Sequence, residues 1–160
     1  EVEKILLDVE WATIGFFAGL FIVVGGLAET GVINMLANGL IDITGGDTMI
    51  TIIVLVWASA IISSFLDNIP MVATLIPILI AMESTGVDVM PYWWAISLGA
   101  CIGGIGTLIG ASANVVLAGI SGKYGHPITF MDYTKVGFPM MLVFTAISCV
   151  YLVLRFCVFV

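Results

Sequence analysis

The chain has 160 residues, of which 61% are hydrophobic and only 9% are charged, and its mean hydropathy is +1.24. Because soluble domains have roughly 25% charged residues, this composition excludes an ordinary soluble domain and predicts an all-α protein that crosses the lipid bilayer several times. The net charge of −7 comes with only four Lys and Arg residues, which excludes a basic surface that binds nucleic acid.

The first third of the chain predicts one spanning helix and one short helix. Residues 1–10 are charged and are expected at the membrane interface, whereas residues 11–28 are apolar and approach the ~20 residues that a spanning helix needs. The opening Glu-Val-Glu-Lys lacks a cleavable signal pattern, and we expect it to be an internal stretch of a longer chain. Residues 32–44 are too short to span and predict an interfacial or connecting helix. Their apolar side chains recur at helical spacing, at Ile33, Leu36, Leu40 and Ile41.

Residues 48–84 predict a helical hairpin with arms at 48–66 and 70–84. Pro70 disfavours helix in the residue before it, so the helical pattern breaks there. The second arm has about 15 residues, short of a full crossing, and Pro77 is expected to interrupt it further. Short, proline-interrupted apolar segments are typical of the binding site of a transporter near the membrane midplane.

The tip of this hairpin contains Asp67, the only charged residue between Asp47 and Glu83. A carboxylate inside an apolar region costs at least ~2.5–3.5 kcal/mol, which favours a functional role for it. Such a group can exchange a proton for Na⁺. The alternative is that Asp67 caps the second arm, since Asp is a good N-cap. Asn68 beside it is either a ligand or a turn residue.

Residues 92–122 predict a helix that is broken within the membrane. Aromatic residues at its start are typical of the membrane interface. Its middle, 107–114, is rich in small and polar residues where a spanning helix should be apolar. Thr107, Ser112 and Asn114 lie in this gap. For Asn114 the alternative is an ordinary interhelical hydrogen bond.

The remaining chain predicts a polar loop at 123–135 and a last spanning helix at 136–159. Counting the crossings places Lys4, Lys123 and Lys135 on the same side of the membrane. By the positive-inside rule, the N-terminal side and the 123–135 loop are expected to be cytoplasmic.

The hairpin tip and the 107–114 gap are predicted to meet. Unwound backbone within a membrane is tolerated only where it is buried in protein or lines a cavity, and two breaks in contact would satisfy each other. Helix ends alone do not select the sign of the ion, since carbonyl ends suit cations and amide ends suit anions. The candidate ion-binding residues are Ser64, Asp67, Asn68, Thr107, Ser112 and Asn114, of which Asp67, Asn68 and Asn114 are candidate Na⁺ ligands.

Three stretches resemble the ion transporter superfamily. They are Val9-Glu10-Trp11 with the apolar run after Phe16, Ser64-Phe-Leu-Asp-Asn-Ile-Pro-Met, and Gly106-Thr-Leu-Ile-Gly-Ala-Ser-Ala-Asn114-Val-Val. They are most similar to the branch that contains the P proteins and the prokaryotic permeases labelled NhaD-type or arsenite permeases, with a citrate transporter-like domain. The likeness extends over nearly the whole chain and corresponds to the C-terminal half of such proteins.

The resemblance implies one repeat of an inverted-repeat fold, a site shared between two halves, and a homodimer. The Asp67-Asn68 pair is similar to NhaD-type sodium/proton antiporters, whereas arsenite permeases tend to have an amide in place of the acid. The serine-asparagine-threonine motif of dicarboxylate relatives is absent at the tip. The Asp-Asn-Ile-Pro signature does not recur in the chain, so we expect a missing N-terminal half or another copy of the chain as its partner.

Three functions follow as hypotheses. The first is a secondary ion transporter, or its C-terminal half, that performs Na⁺/H⁺ exchange. The second is a permease or channel-like pathway for an anion such as arsenite, chloride or a carboxylate. The third is a membrane scaffold that does not transport. The sequence contains no nucleophile–base pair and no P-loop, so we expect no enzymatic activity and no cofactor apart from a bound Na⁺.

Overall fold

The computed structural model describes residues 11–159, which form helices without any strand. This confirms the all-α prediction. The predicted interfacial segment 1–10, with Lys4 and Glu10, lies outside these residues. In chain order the helices are α1 (Trp11–Glu29), α2 (Val32–Thr44), α3 (Thr48–Ser63), α4 (Asn68–Ser84), α5 (Met90–Gly103), α6 (Ser112–Lys123) and α7 (Phe130–Val153), and a π-helical turn (Leu154–Val158) continues α7.

Glycines in the left-handed conformation set the ends of α2. Gly31, before its first residue, has φ 77°, and Gly45, after its last residue, has φ 63°. This conformation suits glycine because it has no Cβ. The turn at Gly31 leaves α1 and α2 bent by 70° from each other, so the two helices run in different directions.

Side-chain caps define the starts of α3 and α7. The carboxylate of Asp47 accepts a hydrogen bond from Ile50 N at 2.9 Å. The hydroxyl of Thr129 accepts one from Asp132 N at 3.2 Å. Because Thr129 caps the helix there, α7 begins at Phe130. The predicted polar loop at 123–135 was therefore too long, and only residues 124–129 connect α6 to α7.

Pro77 does not interrupt α4, contrary to the sequence prediction. The helix runs without a break from Asn68 to Ser84 and includes this proline. Proline removes one N–H donor and its ring crowds the carbonyl four residues earlier, but helices in membranes tolerate it when neighbouring groups compensate. Pro139 lies within α7 in the same way. The break in the central segment is therefore confined to residues 64–67.

The helices differ in their capacity to cross a bilayer. Within residues 11–159, only Phe130–Val158 is long and apolar enough to span by itself, and the bent pair Ile14–Glu29 with Val32–Thr44 passes the same criterion jointly. Thr48–Ser63 and Asn68–Ser84 are apolar but shorter. By length, α3 and α4 are therefore each shorter than a full membrane span.

The core is centred on α3 and α5, which make the most extensive interhelical contact. Small residues allow this approach: a Cβ on Gly99 would lie 1.9 Å from Ser59 Oγ, and one on Gly103 would lie 2.4 Å from the Ala60 carbonyl. α7 packs on both helices, whereas α4 packs more on α2 and α5 than on α3. The fully or nearly fully buried side chains of this core include Ile52, Val56, Leu79, Met82, Tyr92, Ile96 and Leu152.

Candidate functional site

The connection between α3 and α4 presents an acid. Asp67 occupies the N-cap position of α4, but its side chain makes no capping hydrogen bond. The residue is exposed. Capping therefore does not account for this carboxylate, which stays available to a ligand.

Asn68 is the first residue of α4 and is half-buried. Its side-chain amide lies 2.5 Å from the hydroxyl of Ser63, the last residue of α3. The same hydroxyl donates to the carbonyl of Ala100 in α5 at 2.8 Å. Ser63 thus connects the tip to α5. Ser63 lies near the tip in the sequence, next to Ser64, but it is not among the candidate ligands predicted from the sequence.

Residues 104–111 connect α5 to α6 without helix and lie directly against this tip. The hydroxyl of Thr107, which is fully buried, donates to the backbone carbonyl of Ser64. A Cβ on Gly106 would lie 2.8 Å from Ser64 Cβ, and one on Gly110 would lie 2.9 Å from the Ser64 carbonyl. Only residues without a side chain permit this packing. The two polar stretches that the sequence predicts to meet are therefore in contact.

Asn114 stabilises the same connection from its other end. Its Nδ2 donates to the carbonyl of Gly104 at 2.8 Å and to that of Thr107 at 3.2 Å. A Cβ on Gly104 would lie 3.1 Å from Oδ1 of Asn68. The two side-chain amides thus flank Gly104. The hydrogen bonds of Asn114 reach back to the connection that precedes its own helix, so they hold non-helical backbone in place.

α7 closes a third side of the 104–111 connection. A Cβ on Gly137 would lie 2.4 Å from the Ile105 carbonyl. The methyl group of Met141, which is fully buried, lies 3.3 Å from the Cβ position of Gly106. The connection is therefore enclosed by the end of α3 and by α7.

The structure brings together four of the six candidate residues and leaves two at the surface. Asn68, Thr107, Asn114 and the carbonyl of Ser64 form the contacts described above. The hydroxyl of Ser64 points elsewhere, since it donates back to Ile61 O in the last turn of α3 at 2.6 Å. Asp67 and Ser112 are exposed, and neither side chain hydrogen-bonds to the other four candidates within the described part of the chain.

The chemistry of this region is dominated by oxygen atoms. The sequence has no Lys, Arg or His between Lys4 and Lys123, so the candidate site contains a negative charge and no positive one. The carboxylate of Asp67, the amide oxygens and the carbonyls at the end of α3 are hard ligands of the kind that bind alkali and alkaline-earth cations. A cavity of about 530 Å³ opens beside Asn68 between α1 and α4, and its other lining residues are apolar.

Comparison with known proteins identifies the family. Residues 1–99 match the family described as citrate transporter. An uncharacterized transporter of Mycobacterium tuberculosis is 45% identical over 157 residues, which cover 96% of this chain and 37% of the relative. The P proteins of pig and human are 45% and 42% identical over 160 residues, which cover 95% of this chain and 19% of each relative. The chain therefore spans less than two fifths of the length of these relatives.

Proposed function

The chain belongs to the citrate transporter family, and from this premise we propose that it forms part of a secondary active transporter that exchanges Na⁺ for H⁺. The site of exchange is the hairpin tip with Asp67 and Asn68 together with the 104–114 region. Family and relatives place the protein among membrane transporters. The choice of ions is our proposal.

The observation that supports it best is the exposed, uncapped carboxylate of Asp67 beside a region without a basic side chain. A carboxylate that binds either a proton or Na⁺, but not both, couples the movement of one ion to that of the other. Asp67 therefore supplies the coupling chemistry.

The uncharged polar groups of the site would bind Na⁺ and hold the backbone around it in place. Amide oxygens of Asn68 and Asn114 serve as ligands of Na⁺, while Thr107 and the Ser64 carbonyl hold the unwound backbone in place. Ser112, at the first turn of α6, is exposed and would contact the ion or its water. No covalent step is needed, because exchange requires only alternate binding.

The proposed architecture treats α3 and α4 as a hairpin and α5 and α6 as the two parts of one broken helix. The chain then corresponds to one of two inverted repeats, with the loop at 124–129 on the cytoplasmic side. Asp67 and the 104–111 connection would lie near the membrane midplane. Labelling of a single cysteine at Tyr124 only from the cytoplasmic side would agree with this orientation, and labelling only from outside would contradict it.

The test is proton flux in liposomes that contain the complete transporter. A Na⁺ gradient should drive protons in the wild type, and Asp67→Asn should abolish this movement because the amide keeps the shape but not the exchangeable charge. Asp47→Asn is the matched control. It also replaces an acid by its amide at a helix start, and Asn is an equally good N-cap, so transport should persist.

Two outcomes would count against the proposal. If Asp67→Asn transports protons with an unchanged dependence on pH, the carboxylate is not the coupling group. If a Na⁺ gradient drives no proton movement in the wild type, the protein does not exchange Na⁺ for H⁺.

A carboxylate permease is the second candidate, and the description of the family as citrate transporter favours it. The same liposomes test it with radiolabelled citrate. Uptake that continues in Asp67→Asn and needs no Na⁺ would favour this candidate over cation exchange.

A further inference from the structure

Ser63 joins three elements of the candidate site through one hydroxyl group. It is fully buried, and its Oγ lies 2.5 Å from the Asn68 amide and 2.8 Å from the Ala100 carbonyl. The Ala100 carbonyl also accepts from Gly104 N, the first residue of the connection. Ser63 is thus positioned to control how Asn68 faces the connection.

The hydrogen bonds of Ser63 depend on the orientation of the Asn68 amide. The atom placed toward Ser63 is Oδ1, so both neighbours of the hydroxyl are acceptors. A hydroxyl has one proton and can donate to only one of them. If it donated to Asn68, the oxygen atoms of Ser63 and Ala100 would face each other at 2.8 Å without a proton between them. A buried site of this kind strongly disfavours such a contact.

Rotation of the Asn68 amide by half a turn removes the conflict. Nδ2 then donates to Ser63 Oγ, and Ser63 donates to the Ala100 carbonyl. All three groups are satisfied, which is the criterion by which the two ends of a side-chain amide are distinguished. This arrangement leaves Oδ1 of Asn68 without a role in the scaffold.

We propose that Ser63 is a positioning residue that holds the Asn68 amide with its oxygen toward the ligand. Asn114 is held in the same sense, because its Nδ2 donates to two backbone carbonyls. Both amides of the site therefore direct their donors to the scaffold and offer oxygens to the ion. The inference rests on the proposed cation transport and names what makes the neutral ligands selective for cations over anions.

The orientation of the amide can be measured without any transport. Solid-state NMR on the complete transporter, with ¹⁵N-labelled asparagine and ¹³C-labelled serine, reports the distance from Asn68 Nδ2 to Ser63 Cβ. We expect this distance to be short in the wild type. In Ser63→Ala, with ¹³C-labelled alanine, the corresponding distance to Cβ should be longer because no hydroxyl holds the amide. A long distance in the wild type would mean that Oδ1 faces Ser63, and this would overturn the inference.

Transport gives the second test. Ser63→Ala lets the Asn68 amide rotate, so the Na⁺ concentration for half-maximal proton flux should rise roughly tenfold, the equivalent of about one hydrogen bond. The maximal flux should change little. Ser59→Ala is the matched control, since Ser59 lies one turn earlier in α3, is equally buried, and donates only to carbonyls of its own helix. It should leave the half-maximal concentration unchanged.

The two failures are distinguishable. A wild type that shows no response to Na⁺ contradicts the proposed function, and the NMR distance still decides the orientation of Asn68. A wild type that responds to Na⁺, together with equal half-maximal concentrations in Ser63→Ala and Ser59→Ala, overturns the positioning role alone.

Discussion

Ser63 and Ser64 are adjacent, and both are fully buried, but their hydroxyls have different partners. Ser64, just after the end of α3, donates back to Ile61 O of that helix, whereas Ser63 reaches across to α5 and to Asn68. Successive residues of a helix point about 100° apart, so the packing of α3 on α5 decides which serine faces the site. The sequence showed that the tip is polar, but not how α3 is rotated about its axis, and therefore not which of the two serines faces the site. This is why it selected Ser64.

Asp67 and Asn114 were selected from the sequence because each is unusual for its surroundings. A lone acid in an apolar stretch and an amide in a run of small residues both suggest a site before any contact is known. What the sequence did not show is which groups the side-chain amide of Asn114 bonds to. The interhelical hydrogen bond considered for Asn114 is replaced by two bonds to the unwound 104–111 connection.

Replacement of Asn114 should separate its scaffold role from its ligand role. Asn114→Ala removes both hydrogen bonds and should destabilise the protein by ~1 kcal/mol, with a moderate decrease in Na⁺ affinity. Asn114→Asp keeps an oxygen but places a charge against the carbonyls of Gly104 and Thr107, so its loss of stability should be larger.

Thermal unfolding in detergent measures this difference. Asn38→Ala is the control, because Asn38 is exposed on α2, and it should change stability little. Equal stability of Asn114→Asp and the wild type would show that Nδ2 does not support the connection.

The helices show which features of an element can be inferred from composition. The apolar runs and the glycine-rich gap predicted where helices occur, and the ends agree within a few residues at the hairpin tip. Pro77 was misleading, since α4 continues through it. The partner of each helix was also not predictable: the arms of the hairpin pack mainly on other helices, and the most extensive contact is the approach of α3 to α5. That approach depends on glycines whose role is visible only with the opposite helix in place.

Gly103 should therefore be intolerant of a side chain. In Gly103→Ala the new Cβ would lie 2.4 Å from the Ala60 carbonyl and 2.7 Å from Ser63 Cβ, so α3 and α5 must separate. Overpacking of this kind costs ~1–3 kcal/mol, partly offset by the better helix propensity of alanine. We expect a lower unfolding temperature in detergent.

The control for this experiment is Gly19→Ala in α1, where nothing lies within 4 Å of the new Cβ. This variant should unfold at the wild-type temperature or slightly above it. An equal rise of the unfolding temperature in both variants would show that helix propensity, and not the contact between α3 and α5, decides the effect of Gly103→Ala.

At the scale of the whole molecule, α3 and α4 are short helices that meet at the connection containing the charged residue Asp67. α3 has 16 residues and α4 has 17, and at ~1.5 Å per residue neither crosses the ~30 Å core of a bilayer with ease. Their common end exposes Asp67, and the start of α6 exposes Ser112. Contact of this carboxylate with lipid would cost at least ~2.5–3.5 kcal/mol. Within a membrane this surface therefore requires protein or water against it.

This requirement leads to the last prediction, that the chain transports only when a second half or a second copy covers the tip. The chain spans 37% of the length of the mycobacterial transporter, which leaves ample sequence for such a half, and the apolar cavity beside Asn68 has room for side chains of a neighbouring helix. We expect the chain alone, in liposomes at one copy per vesicle, to give no Na⁺-driven proton flux. Co-reconstitution with the other part of a complete transporter, or assembly of two copies, should restore it. Single-molecule photobleaching counts the copies in each vesicle. Flux from vesicles with one copy would contradict the prediction, because a lone chain would then complete the site without a second half or a second copy against the tip.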